Sequence, residues 1–230
     1  KFDMNFVERL TSALVHLSEY TFTNLYMTPM VDRIVREKHP EMPYIGDIEK
    51  NIKMYLVNTQ PITDYKTPVF ANQKRVGGAQ IKKPKELPSD LKKIADNAKN
   101  GLVLFSLGTN VRSDMLGAER IGTILKAFAR LDKYTFLWKF ETPEHLKEKL
   151  PANVMIKSWV KQNDVLGHAN IKAFMTHAGL LSTHEATYHG VPMIGIPFFA
   201  DQYRNIFRSI KAEVAVKIEI RTTTSDQIKA

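Results

Sequence analysis

Hydrophobic and polar positions divide this 230-residue chain into two parts that meet near residue 98. In the first part, apolar residues recur at helical spacing and form one stripe: Phe6, Leu10, Leu14 and Leu17. This spacing predicts a helix, which Pro29 interrupts or restarts because proline lacks the backbone N–H. The segment "KMYLVNT" predicts a strand, "KRVGGAQI" a short strand ending in a glycine turn, and Leu91–Ala98 a further helix.

In the second part, strand patterns and helix patterns alternate. The run "GLVLFSLG" is apolar throughout, which is typical of a parallel strand buried on both faces. Five further strands are predicted: "YTFLWKF", "NVMIKSW", "IKAFMTH", "VPMIGIP" and "EVAVKIEI". Helices are predicted around Ile121–Leu131 and over "GLLSTHEATYH" and "ADQYRNIFRSIK". This alternation predicts an α/β fold with a doubly wound parallel sheet, whose strands end along one ligand-binding edge.

Composition excludes several classes of protein. Hydrophobic residues make up 43% of the chain and charges of both signs are abundant, as in a globular protein. No apolar run approaches the roughly 20 residues that a membrane span needs. Cysteine is absent, which excludes disulfides, thiolate nucleophiles and cysteine-ligated zinc.

The net charge of +9 raises the question of a nucleic-acid partner. Much of the excess lies in Lys74–Lys99, which holds eight basic and three acidic side chains but no aromatic ring for stacking on bases. We therefore interpret this segment as a solvated linker and expect no nucleic-acid partner. The alternative is contact with an anionic membrane or nucleic acid.

The stretch "THEATYHG" invites a zinc hypothesis, because it resembles the His-Glu-x-x-His motif of metalloproteases. His184 and His189 are one residue too far apart, however, and lie about 140° apart around a helix of 3.6 residues per turn. We expect no metal site. Gly190 is better explained as the left-handed residue that ends the helix.

Two strand-to-helix junctions on the expected ligand edge fit a phosphate group. One is Ser106-Leu107-Gly108-Thr109, and the other is His177-Ala178-Gly179, which leads into Ser182. Glycine allows close approach of the backbone, and a helix N-terminus offers unpaired N–H groups to an anion. Small residues also open many helices merely for capping, so this pattern alone leaves both explanations open.

Further along the chain, polar and aromatic residues follow the predicted strands at the same edge. Glu185 could accept hydrogen bonds from two neighbouring ribose hydroxyls, or could simply face solvent. Asp201 and Gln202 could hold sugar hydroxyls, although an Asp at a helix start is usually a cap. Trp159 could stack under a planar base with Gln162 bonding to the nucleotide, or could belong to the core, as we expect for Trp138.

The stretch from "SWVKQNDVLGHAN" through "FMTHAGLLSTHEATYHGVPMIGIPFFADQYRN" closely resembles the signature of UDP-glycosyltransferases, which conjugate small lipophilic molecules. "HAGLLST" is similar to the invertebrate, insect-like branch of that family. "GLVLFSLGTN" and "VNTQPITDYKTPVFANQKRVGG" extend a weaker resemblance through most of the chain.

The resemblance implies a two-lobed GT-B fold and a metal-independent, inverting enzyme of xenobiotic conjugation and detoxification. Residues 1–80 would end the acceptor lobe, 81–98 would be a basic linker and helix, and 99–230 would form the UDP-sugar lobe. It places Trp159 on uracil, Gln162 and the Val160 backbone near base and ribose, and Glu185 on the ribose. The diphosphate contacts would be Ser106, Gly108, Thr109, His177, Gly179 and Ser182, and the sugar contacts would be Asp201 and Gln202.

The resemblance also implies what lies outside this sequence. The family's catalytic His–Asp pair belongs to the start of the acceptor lobe, and His16, His39 and His145 match no such motif. We therefore assign no catalytic residue and expect a fragment, cut at both ends, that binds UDP weakly without turnover. For the full-length form the family implies a membrane anchor and a location in the lumen of the endoplasmic reticulum.

The donor sugar and two competing functions remain to be considered. Leu180 and Leu181 replace polar residues of the glucuronate-using branch, which favours UDP-glucose as co-substrate, with a small lipophilic acceptor and no cofactor. One alternative is a nucleotide-sugar epimerase or hydrolase of GT-B-like architecture. The other is a catalytically silent chain that binds a UDP-sugar or a protein partner.

Overall fold

A computed structural model of the chain describes residues 4–60, 64 and 69–229. The chain forms two compact units, one comprising Lys1–Leu56 with Val69–Lys74 and the other Val57–Pro68 with Arg75–Ala230. The predicted division into acceptor lobe, linker and UDP-sugar lobe stays a prediction. The start and the last residue of the chain and most of the 61–68 segment, including part of the family-like stretch "VNTQPITDYKTPVFANQKRVGG", lie outside the described residues.

The first unit is mainly helical. Asn5 begins its first helix with a reciprocal capping box, in which its side chain accepts from the Glu8 amide and the Glu8 carboxylate accepts from the Asn5 amide. Helical chain continues to Lys38, and a short third helix follows. The elements are α1 (Phe6–Phe22), a π-helical turn (Thr23–Met27), α2 (Thr28–Lys38) and α3 (Ile45–Lys50).

Pro29 restarts the helix rather than interrupting the helical path. It occupies the first turn of α2, where its missing N–H costs least, and the π-helical turn Thr23–Met27 directly precedes that turn. Inside α2, Asp32 accepts hydrogen bonds from the Arg36 side chain and from the backbone N–H of Ile45, which fixes the start of α3. The predicted strand "KMYLVNT" is confirmed as β1 (Tyr55–Val57), which pairs with β2 (Gln73–Arg75).

The second unit is the predicted α/β sheet. Its helices are α4 (Ser89–Asn97), α5 (Ala118–Ala129), α6 (Gln162–Leu166), α7 (Leu180–Tyr188), α8 (Gln202–Lys211) and α9 (Ser225–Lys229). Its strands are β3 (Leu102–Ser106), β4 (Thr135–Lys139), β5 (Val154–Lys157), β6 (Ile171–Thr176), β7 (Met193–Gly195) and β8 (Ala215–Lys217). Short 3₁₀ turns lie at Ser113–Met115 and Pro143–His145.

Strand order creates a ligand-binding position in the middle of this sheet. The six strands are parallel and run in the order β5-β4-β3-β6-β7-β8, so the chain reverses direction across the sheet between β3 and β6. The register pairs Ser106, the last residue of β3, with Thr176, the last residue of β6. The loops that follow these two strands therefore start side by side at the topological switch point.

Both faces of the sheet are covered, as the apolar run of β3 predicts. Val103 and Phe105 belong to a core cluster with α5, whereas Leu102 and Leu104 belong to a second cluster on the opposite face. The second cluster includes residues of α4, α6 and α7. Trp138 is fully buried in the first cluster, which confirms that it is a core residue.

Three local features complete the comparison with the sequence pattern. In the basic segment Lys74–Lys99, the lysines that we expected in solvent are exposed, but Leu87, Leu91 and Ala95 are buried against the sheet. The short helices α3, α6 and α9 were not predicted. α9 packs on α5 near the end of the chain. Among the described residues, no helix combines the length and apolar character needed to cross a bilayer.

Candidate nucleotide-sugar site

His177 lies between two glycines at the switch point. A Cβ atom added to Gly108 would lie 2.6 Å from His177 Cε1, and one added to Gly179 would lie 2.5 Å from His177 Nε2. Gly108 also has φ +80°, which side chains other than glycine rarely adopt. Both predicted phosphate loops thus meet at one imidazole, and each requires glycine where it contacts the ring.

The His177 imidazole is held neutral. It is 8% exposed, and burial lowers its pKa, although the nearby Asp201 carboxylate acts in the opposite direction. Its Nδ1 atom is buried and has no hydrogen-bond partner among the described residues. A neutral imidazole keeps one N–H donor and one acceptor, so this ring can donate to an anion without carrying a permanent charge.

The start of α7 faces the same position. Gly179 occupies the cap position and supplies no side-chain cap, so the first amide groups of the helix are left for another acceptor. Ser106 is buried, and its Oγ accepts from the Gly108 amide at 3.3 Å, which stabilises the turn after β3. Thr109 is exposed beside that turn. Of the two side chains of this loop that are predicted to contact the diphosphate, Ser106 is therefore buried and Thr109 is exposed.

Gln162 connects α6 to α7 through a pair of hydrogen bonds. Its Nε2 donates to Glu185 Oε2 at 2.7 Å and to Ser182 Oγ at 3.1 Å. Burial raises the pKa of Glu185, Asp164 raises it further, and the bond from Gln162 opposes both. The carboxylate is thereby fixed in orientation while its second oxygen remains an acceptor, which is the chemistry that a pair of ribose hydroxyls requires.

Trp159 presents its ring at the edge of the sheet. The side chain is 64% exposed after β5, whereas the neighbouring Val160 is buried in the second core cluster. The ammonium of Lys139 lies 5.6 Å from the Trp159 ring centroid. The core alternative for Trp159 is thus excluded by its exposure, and only the backbone of Val160 is left to contact a ligand.

Lys139 is the site residue that sequence reasoning missed. It ends β4, is 6% exposed, and its Nζ donates to the Gly108 carbonyl at 2.8 Å and to Glu141 Oε1 at 2.7 Å. The available signal was the position of Lys139 at the carboxyl end of a predicted parallel strand, in "TFLWKF".

These contacts form a closed path around the switch point. Trp159 contacts Lys139, Lys139 bonds to Gly108, and Gly108 packs on His177. The ring of His177 packs on Gly179 at the start of α7. Glu185 on α7 accepts a hydrogen bond from Gln162, which lies three residues after Trp159 and so closes the path. This path links an indole, a neutral imidazole, helix amides and an oriented carboxylate along the carboxyl edge of the sheet.

Asp201 and Gln202 begin α8 on the His177 side of this path. Gln202 is buried, and its Oε1 accepts from the Phe198 amide at 2.8 Å and from the Phe199 amide at 3.2 Å. The loop therefore already uses the acceptor that we expected to bind sugar, and Nε2 remains as the donor. Asp201 makes no side-chain cap bond to its helix, so capping does not explain it.

The chain matches the family described as "UDP-glucoronosyl and UDP-glucosyl transferase" over residues 2–230. It belongs to this family. The resemblance read from the sequence is confirmed over residues 2–230.

Relatives include a glucosyltransferase and a glucuronosyltransferase. The chain is 40% identical over 188 residues to UDP-glucosyltransferase 2 of the insect Dactylopius coccus, covering 82% of this chain and 36% of that protein. It is 33% identical over 230 residues to UDP-glucuronosyltransferase 2C1 of Oryctolagus cuniculus, covering 99% and 45%. The chain thus spans less than half the length of these relatives.

A solved structure shows the same architecture. The chain is similar to the glycotransferase of kitacinnamycin, with a TM-score of 0.66 and 20% sequence identity, covering 97% of this chain and 57% of that one. At this identity the similarity concerns the fold alone, and it confirms the α/β sheet predicted from the strand–helix alternation and the GT-B type implied by the resemblance.

The two histidines of the zinc hypothesis have separate environments. His184 Nε2 lies 3.8 Å from the Asp64 carboxylate, whereas His189 Nε2 pairs with the Asn163 amide oxygen at 2.9 Å. Gly190 has φ +66° directly after the helix, which confirms it as the left-handed residue that ends α7. Across the described residues, no cluster of three or more His, Cys, Asp or Glu could hold a metal ion.

Proposed function

We propose that this chain supplies the UDP-sugar site of a glycosyltransferase, which transfers a hexose to a hydroxyl of a small lipophilic acceptor. The observation that carries the proposal is the closed path of contacts around the switch point, from the exposed Trp159 ring to the Gln162–Glu185 pair. Residues 99–230 form this donor lobe in our proposal. Residues 1–80 contribute to the acceptor lobe, and residues 81–98 join the two.

The nucleoside binds at the Trp159 and α6 end of the site. The exposed indole stacks on uracil, an interaction worth about 1–3 kcal/mol per base. The Lys139 ammonium, which is paired with Glu141, lies 5.6 Å from the indole centroid and helps to hold the ring in place. Glu185, oriented by Gln162, accepts from the ribose hydroxyls, and the Val160 backbone lies near the base.

The diphosphate binds between the two glycine loops. The amides at the start of α7, the imidazole of His177 and the hydroxyls of Ser182 and Thr109 provide the donors. Ser106 stabilises this arrangement by shaping the Gly108 turn. Backbone amides and a helix N-terminus stabilise phosphate without a metal ion, so the proposal includes no metal and no cofactor.

The transferred sugar lies beside α8, with Asp201 accepting from its hydroxyls and Gln202 donating through Nε2. In the reaction, an acceptor oxygen forms a bond to the anomeric carbon while the bond from that carbon to the diphosphate oxygen breaks. The configuration inverts and UDP departs with the electron pair. His177 and the α7 amides stabilise the charge that develops on the diphosphate. No residue of this chain is assigned to remove the acceptor's proton.

Our proposals for the donor sugar and for the cellular location of the protein rest on tendencies of the family. Leu180 and Leu181 favour glucose over glucuronate, and the relative from Dactylopius coccus is named a glucosyltransferase. The rabbit relative is named a glucuronosyltransferase, so the sugar needs a direct test. We propose that the full-length protein acts at the lumenal side of the endoplasmic reticulum membrane.

Ligand titration of the purified chain tests this proposal. Isothermal calorimetry and thermal unfolding should show binding of UDP and UDP-glucose, with UDP-glucuronate weaker and ADP weakest. At 100 times its dissociation constant, a ligand stabilises the folded state by about 2.7 kcal/mol, which raises the unfolding temperature measurably. A folded chain that responds equally to ADP and UDP, or to neither, contradicts the assignment.

Trp159→Ala provides the matched variant for this titration. The ring is 64% exposed, so its removal should leave the unfolding temperature of the free chain nearly unchanged. UDP affinity should fall by about tenfold, since the loss of one stacked base corresponds to roughly 1–3 kcal/mol. Unchanged UDP affinity in this variant would place the base elsewhere.

A further inference from the structure

Asn205 is a buried amide between the phosphate loop and the sugar-binding loop. It lies on α8 and is 1% exposed. Its Nδ2 donates to the Ala178 carbonyl at 3.1 Å and to Asp201 Oδ2 at 2.7 Å. Ala178 separates His177 from Gly179, so a single side chain bonds to both loops of the proposed site. None of the roles assigned above uses this residue.

The partners of Asn205 determine the orientation of its amide. Oδ1 accepts from Arg208 Nη2 at 2.6 Å, and a guanidinium can only donate. The Ala178 carbonyl and the Asp201 carboxylate can only accept, so the NH₂ group must face them. Arg208 also bonds to the buried Asp64 carboxylate through Nη1, which holds the guanidinium in place. Every polar atom of the Asn205 side chain is thus committed.

Both loops held by Asn205 contain a strained backbone. Ala178 has φ +62° and Ala200, directly before Asp201, has φ +54°. Left-handed conformations are unfavourable for alanine and persist only where surrounding contacts enforce them. The Asn205 amide bonds to Ala178 itself and to the residue that follows Ala200, so it is placed to enforce both.

We propose that Asn205 is a positioning residue for the Asp201 carboxylate, fixing Oδ2 so that Oδ1 faces the hydroxyls of the transferred sugar. The same amide keeps the sugar-binding carboxylate in register with the loop that binds the diphosphate. This inference rests on the proposed function, because it assumes that Asp201 binds the sugar of a UDP-sugar.

Asn205→Asp tests the role of the two N–H donors. The substitution keeps the shape of the side chain and its bond from Arg208, but it places an oxygen against the Asp201 carboxylate and the Ala178 carbonyl. In calorimetry on the whole chain, affinity for UDP-glucose should fall by about tenfold or more, and affinity for UDP should fall less. An equal fall for both ligands would overturn the proposal.

A double-mutant cycle tests whether Asn205 acts through Asp201. Asn205→Ala alone should lower the ratio of UDP-glucose affinity to UDP affinity. In an Asp201→Ala background, the same change should alter that ratio by less than about twofold, because the carboxylate to be positioned is gone. Additive effects would overturn the proposal, since they would mean that Asn205 acts independently of Asp201.

Asn153 supplies a matched control at the opposite edge of the sheet. Its half-buried Nδ2 donates to the carbonyls of Phe128, Leu131 and Tyr134, just before β5. Asn153→Asp should lower the unfolding temperature without changing the affinity ratio, and a changed ratio there would count against a specific role for Asn205. If Asn205→Asp does not fold, Asn205→Ser decides by the same ratio. Wild-type chain that binds neither ligand refutes the proposed function itself.

Discussion

Two amphipathic helices, α1 of the first unit and α5 of the second, share a sequence pattern but differ in burial. None of the α1 residues is buried, and Phe6, Leu14 and Leu17 are more than half exposed. In α5, by contrast, Ile121, Ile124, Leu125, Ala127 and Phe128 are all buried against the sheet. Periodicity thus predicts that a helix forms and which face is apolar, whereas burial also requires an opposing surface.

This difference explains why the candidate site is built on the second unit. The loops that carry His177 and Asp201 contain left-handed alanines, whose conformational cost must be offset by surrounding contacts. The buried strands β3 and β6 anchor those loops, with the register Ser106 to Thr176 at their ends. A covered sheet can sustain such local strain, and an exposed helix cannot.

The largest expected effect is in the core of the second unit. Phe128 is 1% exposed, its ring stacks on Phe136 with centroids 3.8 Å apart, and it meets Phe105 and Trp138 edge to face. Phe128→Ala should destabilise this unit by about 3–5 kcal/mol, because it removes buried surface and leaves a cavity. Urea unfolding followed by circular dichroism measures this change. A loss below about 1 kcal/mol would show that the packing there is loose.

The sequence predicted the parts of this arrangement that depend on neighbouring residues, but not the contacts between residues that are distant along the chain. Local signals were sufficient for the strands, for α7 and for the left-handed Gly190 that ends it. The GT-B fold and the family followed from the resemblance, and the comparisons confirm both. The roles of the predicted site residues stay predictions, although the structure brings several of them into one path of contacts.

Long-range contacts were beyond the sequence pattern. The bond from Lys139 to the Gly108 carbonyl joins residues 31 positions apart, and that from Asn205 to Ala178 spans 27. Each depends on the order of the strands and on how the elements pack together, whereas periodicity identifies only the single elements. Gln202 illustrates the same limit, because only the structure reveals that its Oε1 serves the loop amides of Phe198 and Phe199.

A smaller effect on stability, but a clear one on ligand binding, is expected at the glycine beside His177. An added Cβ at Gly179 would meet the end of the imidazole ring at 2.5 Å, and its φ of −62° is allowed for alanine. In Gly179→Ala the ring should therefore move while the fold survives. Losing one bond to a charged ligand corresponds to about 1.5–3 kcal/mol, so UDP affinity should fall by roughly 10–100-fold in calorimetry.

Gly122→Ala is the control for this substitution. Gly122 lies within α5, and an added Cβ would meet no atom within 4 Å. Alanine is favoured over glycine inside a helix by about 0.8–1 kcal/mol, so this variant should be more stable with unchanged UDP affinity. If Gly179→Ala binds UDP as tightly as the wild type, the contact between His177 and the diphosphate is wrong.

The smallest expected effect is on the exposed stripe of α1. Leu14 is 57% exposed, and leucine and alanine have similar helix propensities, so Leu14→Ala should change the free energy of unfolding by less than about 0.5 kcal/mol. Leu125→Ala is the matched substitution on α5, where the side chain is 4% exposed, and it should cost about 2–5 kcal/mol. Urea unfolding of both variants measures the contrast directly. A cost above about 1.5 kcal/mol at Leu14 would mean that another surface covers the α1 stripe in solution, and the difference between the two units would then disappear.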